Sequence, residues 1–260
     1  MKTRLTAAGL HFLASALVIS FCLYVIYFIW YPKPFYTIHS VFDAVKIVLS
    51  VDLVLGPFLT LLIYNTSKPR KELVRDIAII IVIQLSALSW GMHVTYKMRP
   101  VFFVFQGDTF YPIIKQDIDL DTVNSEVPAP AIWERPKMVY IEPLKGKDAI
   151  QRLQELAKGG PIKGDMYRPE LYKPLSLQED STYRQDVIRQ AMSYSRLLKS
   201  KTWKPGVEQL VSSRGGRIED YLFYPVENDR FSGLIAFRKA DFSVAGLVNP
   251  QETSSLRGTK

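Results

Sequence analysis

Apolar residues are spread unevenly along the chain. Long apolar runs crowd into the first hundred residues, and shorter strand-like runs with isolated amphipathic stretches follow. The first run, residues 10–30, lies between Lys2/Arg4 and a Trp30-Tyr31-Pro32 boundary; its 21 residues, at about 1.5 Å each, cross the ~30 Å hydrocarbon core of a bilayer. It is too long for the apolar region of a cleavable signal peptide and lacks a small-residue cleavage site. It therefore predicts a retained span with Trp30 and Tyr31 as interfacial anchors. A second span is predicted over residues 47–64 and a third over 77–98, with an aromatic loop at 32–39 and a polar loop at 65–75.

The second run holds the most informative polar pattern. Asp52 falls inside it, and a carboxylate costs roughly 2.5–3.5 kcal/mol at the centre of a membrane helix, so it is expected to face protein, water or a partner. Asp52, Gly56 and Thr60 recur at every fourth residue, a small and polar stripe beside Pro57 on a helix otherwise made of Val, Leu, Ile and Phe. In the third run Gln84, Ala87, Gly91 and Thr95 share one face. Counting depth along antiparallel helices places Thr60 level with Gln84, and Asp52 level with Gly91 and Thr95.

Beyond Arg99 and Pro100, the period changes. Residues 101–105, 109–114, 138–141, 221–226, 233–237 and 242–248 read as strands, with residues 227–230 turning one into the next. A helix is predicted over 148–158, ending at Gly159-Gly160, and another over 183–199, opened by the capping pattern Thr182-x-x-Gln185. Residues 161–174 read as a long surface loop. The predicted fold is thus three transmembrane helices (residues 1–99) followed by one soluble α+β domain (100–250) and a polar tail (251–260).

Charge settles the orientation. Residues 1–100 carry 10 Lys+Arg against 4 Asp+Glu, whereas 101–260 carry 23 against 21. The basic N-terminus and the 65–75 loop lie on the same side of a three-span bundle, and that side is cytoplasmic. The α+β domain is then delivered to the opposite side, the periplasm of a Gram-negative cell. Its near-balanced charge removes most support for nucleic-acid binding. The single cysteine, Cys22, excludes a disulfide framework and a thiolate metal site.

Candidate chemistry is sparse. Asp117, Asp119 and Asp121 alternate with Ile118 and Leu120, but an EF-hand starting at Asp117 would need glycine at 122 and glutamate at 128, where Thr122 and Pro128 stand. The alternation fits a half-buried strand or surface loop. His11, His39 and His93 lie in different segments without metal or nucleophile–base spacing, and no phosphate loop, nucleophile elbow or zincin pattern is present. The arginines and lysines of residues 184–201 read as a solvated helix face. No enzyme, cofactor or metal is expected.

Several segments together resemble the type IV pilin accessory proteins of Gram-negative bacteria. They are Val51-Asp52-x-x-Leu55-Gly56-Pro57-x-Leu59-Thr60, Asp76, Gln84-Leu85-x-Ala87-Leu88-x-x-Gly91, and Arg99-Pro100-Val101 leading to Val104-Phe105. The resemblance covers about the first 110 residues. It implies a multi-pass inner-membrane protein without catalytic machinery that acts on its cognate major pilin, itself a single hydrophobic helix with a periplasmic head, and so affects pilus assembly or retraction. The stripe Asp52, Gly56, Pro57, Thr60, Gln84, Gly91 and Thr95 is the expected packing or pilin-binding surface, with Arg99 and Pro100 at the domain junction. The bilayer is a further partner, and a homo-oligomer is compatible with the pattern. Alternatives are a periplasm-facing pilin-modifying enzyme, for which residues 117–121 are the only acidic cluster singled out, and a membrane sensor, disfavoured by short cytoplasmic segments. A small transporter would need more polar lining than three spans supply unless it oligomerises.

Overall fold

The computed structural model describes residues 2–39, 41, 45–46, 54, 56–64, 68–142, 146–147, 149–150, 154, 164–175, 182–229 and 231–249. The chain divides into two compact units, residues 1–99 and 100–260.

In the first unit, helix α1 (Lys2–Tyr24) runs into a wider π-helical turn, Val25–Trp30. A short α2 (Phe35–Ile38), α3 (Gly56–Ile63) and the long α4 (Arg70–Lys97) follow. The stretches Lys2–Trp30 and Arg70–Lys97 are each long and apolar enough to cross a membrane. Their outward surfaces are apolar too: Leu10 is 69 % exposed, Leu17 73 %, Ile83 63 % and Trp90 71 %. A water-facing helix would carry polar residues at such positions. Of the predicted second span, α3 supplies the C-terminal half; residues 47–53 and 55, Asp52 included, lie outside the described residues.

α3 packs against both α1 and α4. The π turn at the far end of α1 brings Trp30 onto Tyr96 of α4, ring centroids 5.3 Å apart, and the Tyr31 hydroxyl donates to the Thr95 carbonyl at 3.0 Å. At the other end of α4, Lys68 donates to Asp76 at 2.7 Å.

The second unit is built on one mixed seven-stranded sheet in the order β4-β3-β1-β2-β5-β6-β7. Its strands are β1 (Pro100–Gln106), β2 (Thr109–Ile114), β3 (Lys137–Tyr140), β4 (Lys173–Pro174), β5 (Tyr221–Asn228), β6 (Phe231–Arg238) and β7 (Val244–Val248). β1 is buried from Pro100 to Phe105, as its unbroken apolar run requires of a strand covered on both faces. β1–β2 and β5–β6 are antiparallel hairpins, and Gly107 (φ +66°) supplies the left-handed turn residue of the first. The hairpins meet in parallel at one register pair, Phe110 and Val226. Pro112 in β2 and Pro225 in β5 each lack the N–H that would extend this seam.

On one sheet face, Tyr221, Phe223, Leu234, Ala236 and Val248 pack against Leu197 of α6 (Tyr194–Lys199) and Val207 and Leu210 of α7 (Lys204–Arg214). An aromatic cluster joins the two hairpins: Phe110 lies 4.6 Å from Phe103, 5.4 Å from Tyr224 and 5.3 Å from Phe237 between ring centroids. The Tyr224 hydroxyl donates at 2.8 Å to the carbonyl of Val187, within the last four residues of α5 (Thr182–Gln190), where carbonyls have no intrahelical partner.

Several expectations need correction. The single helix over 183–199 is two, α5 and α6, broken where the Met192 N–H donates to the Phe223 carbonyl at 2.9 Å. This bond lies beside the short β2–β5 seam, and the contact overrides the helical period. Residues 164–175 are not simply a surface loop: two 3-10 turns lead to a fully buried Tyr172, and β4 adds to β3. α7 was not anticipated, although Pro205 near its start and Gly215 (φ +78°) after its end are helix boundary signals. The half-buried loop expected at 117–121, by contrast, is present: it runs through parts of two 3-10 turns, the Asp119 carboxylate caps the second by accepting from the Asp121 N–H at 3.0 Å, and Ile118 and Leu120 pack on the core. The predicted helix over 148–158 falls largely outside the described residues.

The Tyr224 bond gives a prediction. Tyr224→Phe keeps the ring but strands a helix-terminal carbonyl, so unfolding of the purified protein in detergent should occur with about 1–2 kcal/mol less stability and with the fold retained.

Candidate functional site

Three helices of the first unit converge on one side chain that the sequence pattern left isolated. His11 lies on the inward face of α1, in line with Ser15 and the buried Ile19. Its Nδ1 is 2.6 Å from Thr60 Oγ1 on α3, and its Nε2 is 2.8 Å from Gln84 Oε1 on α4. An amide oxygen only accepts, so Nε2–H donates to Gln84. In the neutral imidazole Nδ1 is then the acceptor, and the Thr60 hydroxyl donates to it. Thr60 is 3 % exposed.

The same amide accounts for Gly56. A Cβ at that position would lie 2.0 Å from Gln84 Nε2 and 2.7 Å from its Cδ. Gly56 therefore provides the space in which Gln84 lies across α3 while bonding His11. Of the anticipated surface, Gly56 lies against Gln84 and Thr60 is joined to Gln84 through His11, with Pro57 half-buried in the same helix; the depth count had set only Thr60 level with Gln84. Gly91 and Thr95 are about 10 and 16 Å farther along α4 and form a separate feature, in which the Thr95 hydroxyl donates to the Gly91 carbonyl at 2.8 Å. Asp52 lies outside the described residues. The inward face of α4 runs through Ile80, Gln84 and Leu88; Ala87, expected on it, is exposed.

A groove of about 640 Å³ lies between α1 and α4, extending to both sides of this cluster. Its walls are Leu10, Ala14 and Val18 on one side and Ile81, Leu85 and Leu88 on the other, with His11, Thr60 and Gln84 at its polar part. At the junction of the units, Arg99 is 1 % exposed and its guanidinium sits over the Tyr96 ring, 4.8 Å from the centroid. Pro100 opens β1, where a missing N–H is tolerated.

Residues 1–39, which hold α1 and His11, match the family model described as Fimbrial assembly protein FimB. Among curated proteins, the fimbrial assembly protein of serogroups C1 and C2 from Dichelobacter nodosus is 40% identical over 114 residues, covering 44% of this chain and 87% of that one. The chain belongs to the fimbrial assembly protein family. The serogroup I and serogroup E1 fimbrial assembly proteins of the same organism are each 38% identical over 121 residues, 46% of this chain. The chain spans about half the length of those two relatives, 47% of each. No solved structure matches it.

Of the other two histidines in this family member, His93 is exposed on α4, beside Trp90. His39 is packed edge-on to Tyr31, ring centroids 6.0 Å apart, with Nε2 enclosed and unbonded. Burial pushes its imidazole down to about 4 from the ordinary 6.5.

Two predictions follow from these contacts. Gly56→Ala should displace the Gln84 amide and cost about 0.6–1.7 kcal/mol of stability in detergent or lipid, and almost nothing when combined with Gln84→Ala. Because the folded value of His39 lies below its unfolded one, its contribution is fully present above pH 6.5 and is lost as pH falls towards 4. The melting temperature should drop across that window, and His39→Phe should flatten the drop.

Proposed function

We propose that this chain is a non-catalytic accessory protein of type IV pili that lies in the Gram-negative inner membrane and binds the cognate major pilin there, influencing pilus assembly and retraction. Three spans carry it: α1, the segment ending in α3, and α4. The N-terminus and the basic loop at 65–75 are cytoplasmic, and residues 100–250 are periplasmic, on the positive-inside argument. The names of the fimbrial assembly relatives support the pilus role.

The observation that carries the reading is the groove between α1 and α4. Its walls are apolar and it opens to the side, while the His11, Thr60 and Gln84 cluster ties the helices together at its polar part. A single apolar helix, such as a pilin presents in the bilayer, gains packing in such a cleft without losing solvation. The groove takes the place of the Gly56 face as the docking surface, because the Gln84 amide already covers Gly56. The periplasmic domain then reads the pilin head.

Photo-crosslinking tests this. In cells that make pilin, a photoreactive residue at Val18 or Leu85, both in the groove, should give pilin adducts, whereas Leu13 and Ile83, which are exposed outside it, should not. Adducts of equal yield at all four positions, or pilin captured only from residues 100–250, would exclude the groove as the pilin site.

A further inference from the structure

One turn in residues 100–260 holds its apolar side chains outward. The Glu134 N–H donates to the Ala131 carbonyl at 3.1 Å, closing a β-turn whose two central residues are Ile132 and Trp133. Ile132 is 42 % exposed and Trp133 61 %, and no other two consecutive large apolar residues are exposed among the described residues of this unit. The Trp133 Nε1–H has no acceptor there, and its ring contacts no other ring. This exposure is built into the turn. The Glu134 carboxylate accepts from the Ala131 N–H at 2.9 Å and lies 3.3 Å from Lys137 Nζ, which donates to the Pro128 carbonyl at 2.9 Å. Pro130 and Pro136 restrict the backbone on either side.

The sheet register sets which end of the domain carries this turn. β3 pairs with β1 in parallel, Lys137 opposite Phe102, so the residues just before Lys137 lie at the same end of the sheet as those just before Phe102. That is the end at which the chain arrives from α4. Only Met98 and Arg99 separate α4 from β1, and the five steps from Lys97 to Phe102 reach at most about 18 Å. We infer that Ile132 and Trp133 insert into the interfacial layer of the bilayer that α4 crosses, giving the soluble domain a second attachment to lipid; the inference rests on α4 being a span. Reach selects lipid over a protein partner, since a folded domain of 100 residues has a radius of gyration of about 13 Å and does not fit under so short a tether. Chemistry agrees with that choice. An indole with an apolar body and an unmet N–H is suited to headgroup depth, where water and ester carbonyls accept the bond. Because Glu134 and Lys137 pair with each other, the turn brings its apolar residues to the surface without needing anionic lipid. Its preformed shape lowers the ordering cost of insertion.

The test uses the full chain with Cys22→Ser in phosphatidylcholine nanodiscs containing nitroxide-labelled lipid, and a fluorophore on one introduced cysteine at a time. With the nitroxide at the headgroup, the label on Ile132→Cys should be quenched roughly three-fold more than one on Ala240→Cys, which is exposed just beyond β6 at the opposite end of the sheet. Adding Trp133→Asp, a change at an exposed position, should cut the Ile132→Cys quenching roughly two-fold while the melting temperature holds. A label on Trp90→Cys, exposed on α4, should be quenched by nitroxide placed on the acyl chains; if it is not, the span reading fails and the insertion with it. Quenching at Trp90→Cys together with equal quenching at Ile132→Cys and Ala240→Cys, or no effect of Trp133→Asp, overturns the insertion alone. A blue-shifted but unquenched label on Ile132→Cys also overturns it, in favour of a second copy covering the turn.

Discussion

A polar side chain turned into an apolar helix bundle is held best when its hydrogen-bonding groups are met by the chain itself. His11 is where that requirement binds hardest. It has one partner on α3 and one on α4, Thr60 at 2.6 Å and Gln84 at 2.8 Å, and these two bonds fix the axial register of three helices relative to one another. Sliding α1 by a single turn would move the imidazole about 5 Å and leave three polar groups unsatisfied. Gly56 is required for the same reason, since a side chain there would take the volume that the Gln84 amide occupies. The groove between α1 and α4 has His11, Thr60 and Gln84 at its polar part, and the helices meet again at Trp30 and Tyr96.

The second unit answers a different constraint. Its sheet joins two hairpins through a seam with one register pair, and the proline in each seam strand limits backbone pairing there. The deficit is covered by aromatic packing across the seam, where Phe110 touches Phe103, Tyr224 and Phe237. Main-chain bonds from outside the sheet add to this, from Met192 to Phe223, with the Tyr224 hydroxyl reaching Val187. α5 and α6 are therefore separate helices because the segment between them is bound to the sheet.

The strands were the most legible part of this unit, because period-two alternation and unbroken apolar runs report burial directly, and every strand expected between residues 101 and 248 is present. Helix boundaries were less legible. The apolar period continues through residues 183–199, and nothing in it reveals that the Met192 amide is needed elsewhere. α7 has a weak apolar stripe, and only its Pro205 and Gly215 boundaries mark it. β4 was hidden because two residues carry no period, and the burial of Tyr172 depends on strands distant in sequence. Within the first unit, the depth count paired Thr60 with Gln84, but it compared the second and third spans and omitted the first. The signal for His11 was present: a ring nitrogen donor and acceptor in an apolar run, on the face shared with Ser15 and Ile19.

The identity of the bridging residue also follows from what it joins. Gln84 Oε1 only accepts, and the Thr60 hydroxyl can give or take a proton, so the link between them must offer a donor to α4 and reach α3 with a second atom. A carboxylate has two acceptors and would force the amide to turn, placing its oxygen towards the Gly56 backbone. Lysine has donors only and brings a charge that costs several kcal/mol away from water. Serine or threonine on α1 is too short to bridge helices separated by α3. An imidazole carrying one hydrogen provides a donor and an acceptor on a rigid ring, with two side-chain torsions to fix, so it gives up less conformational entropy than a longer polar side chain spanning the same gap. The same rigidity that locks the three helices sets the spacing of α1 and α4, and with it the width of the cleft their walls enclose.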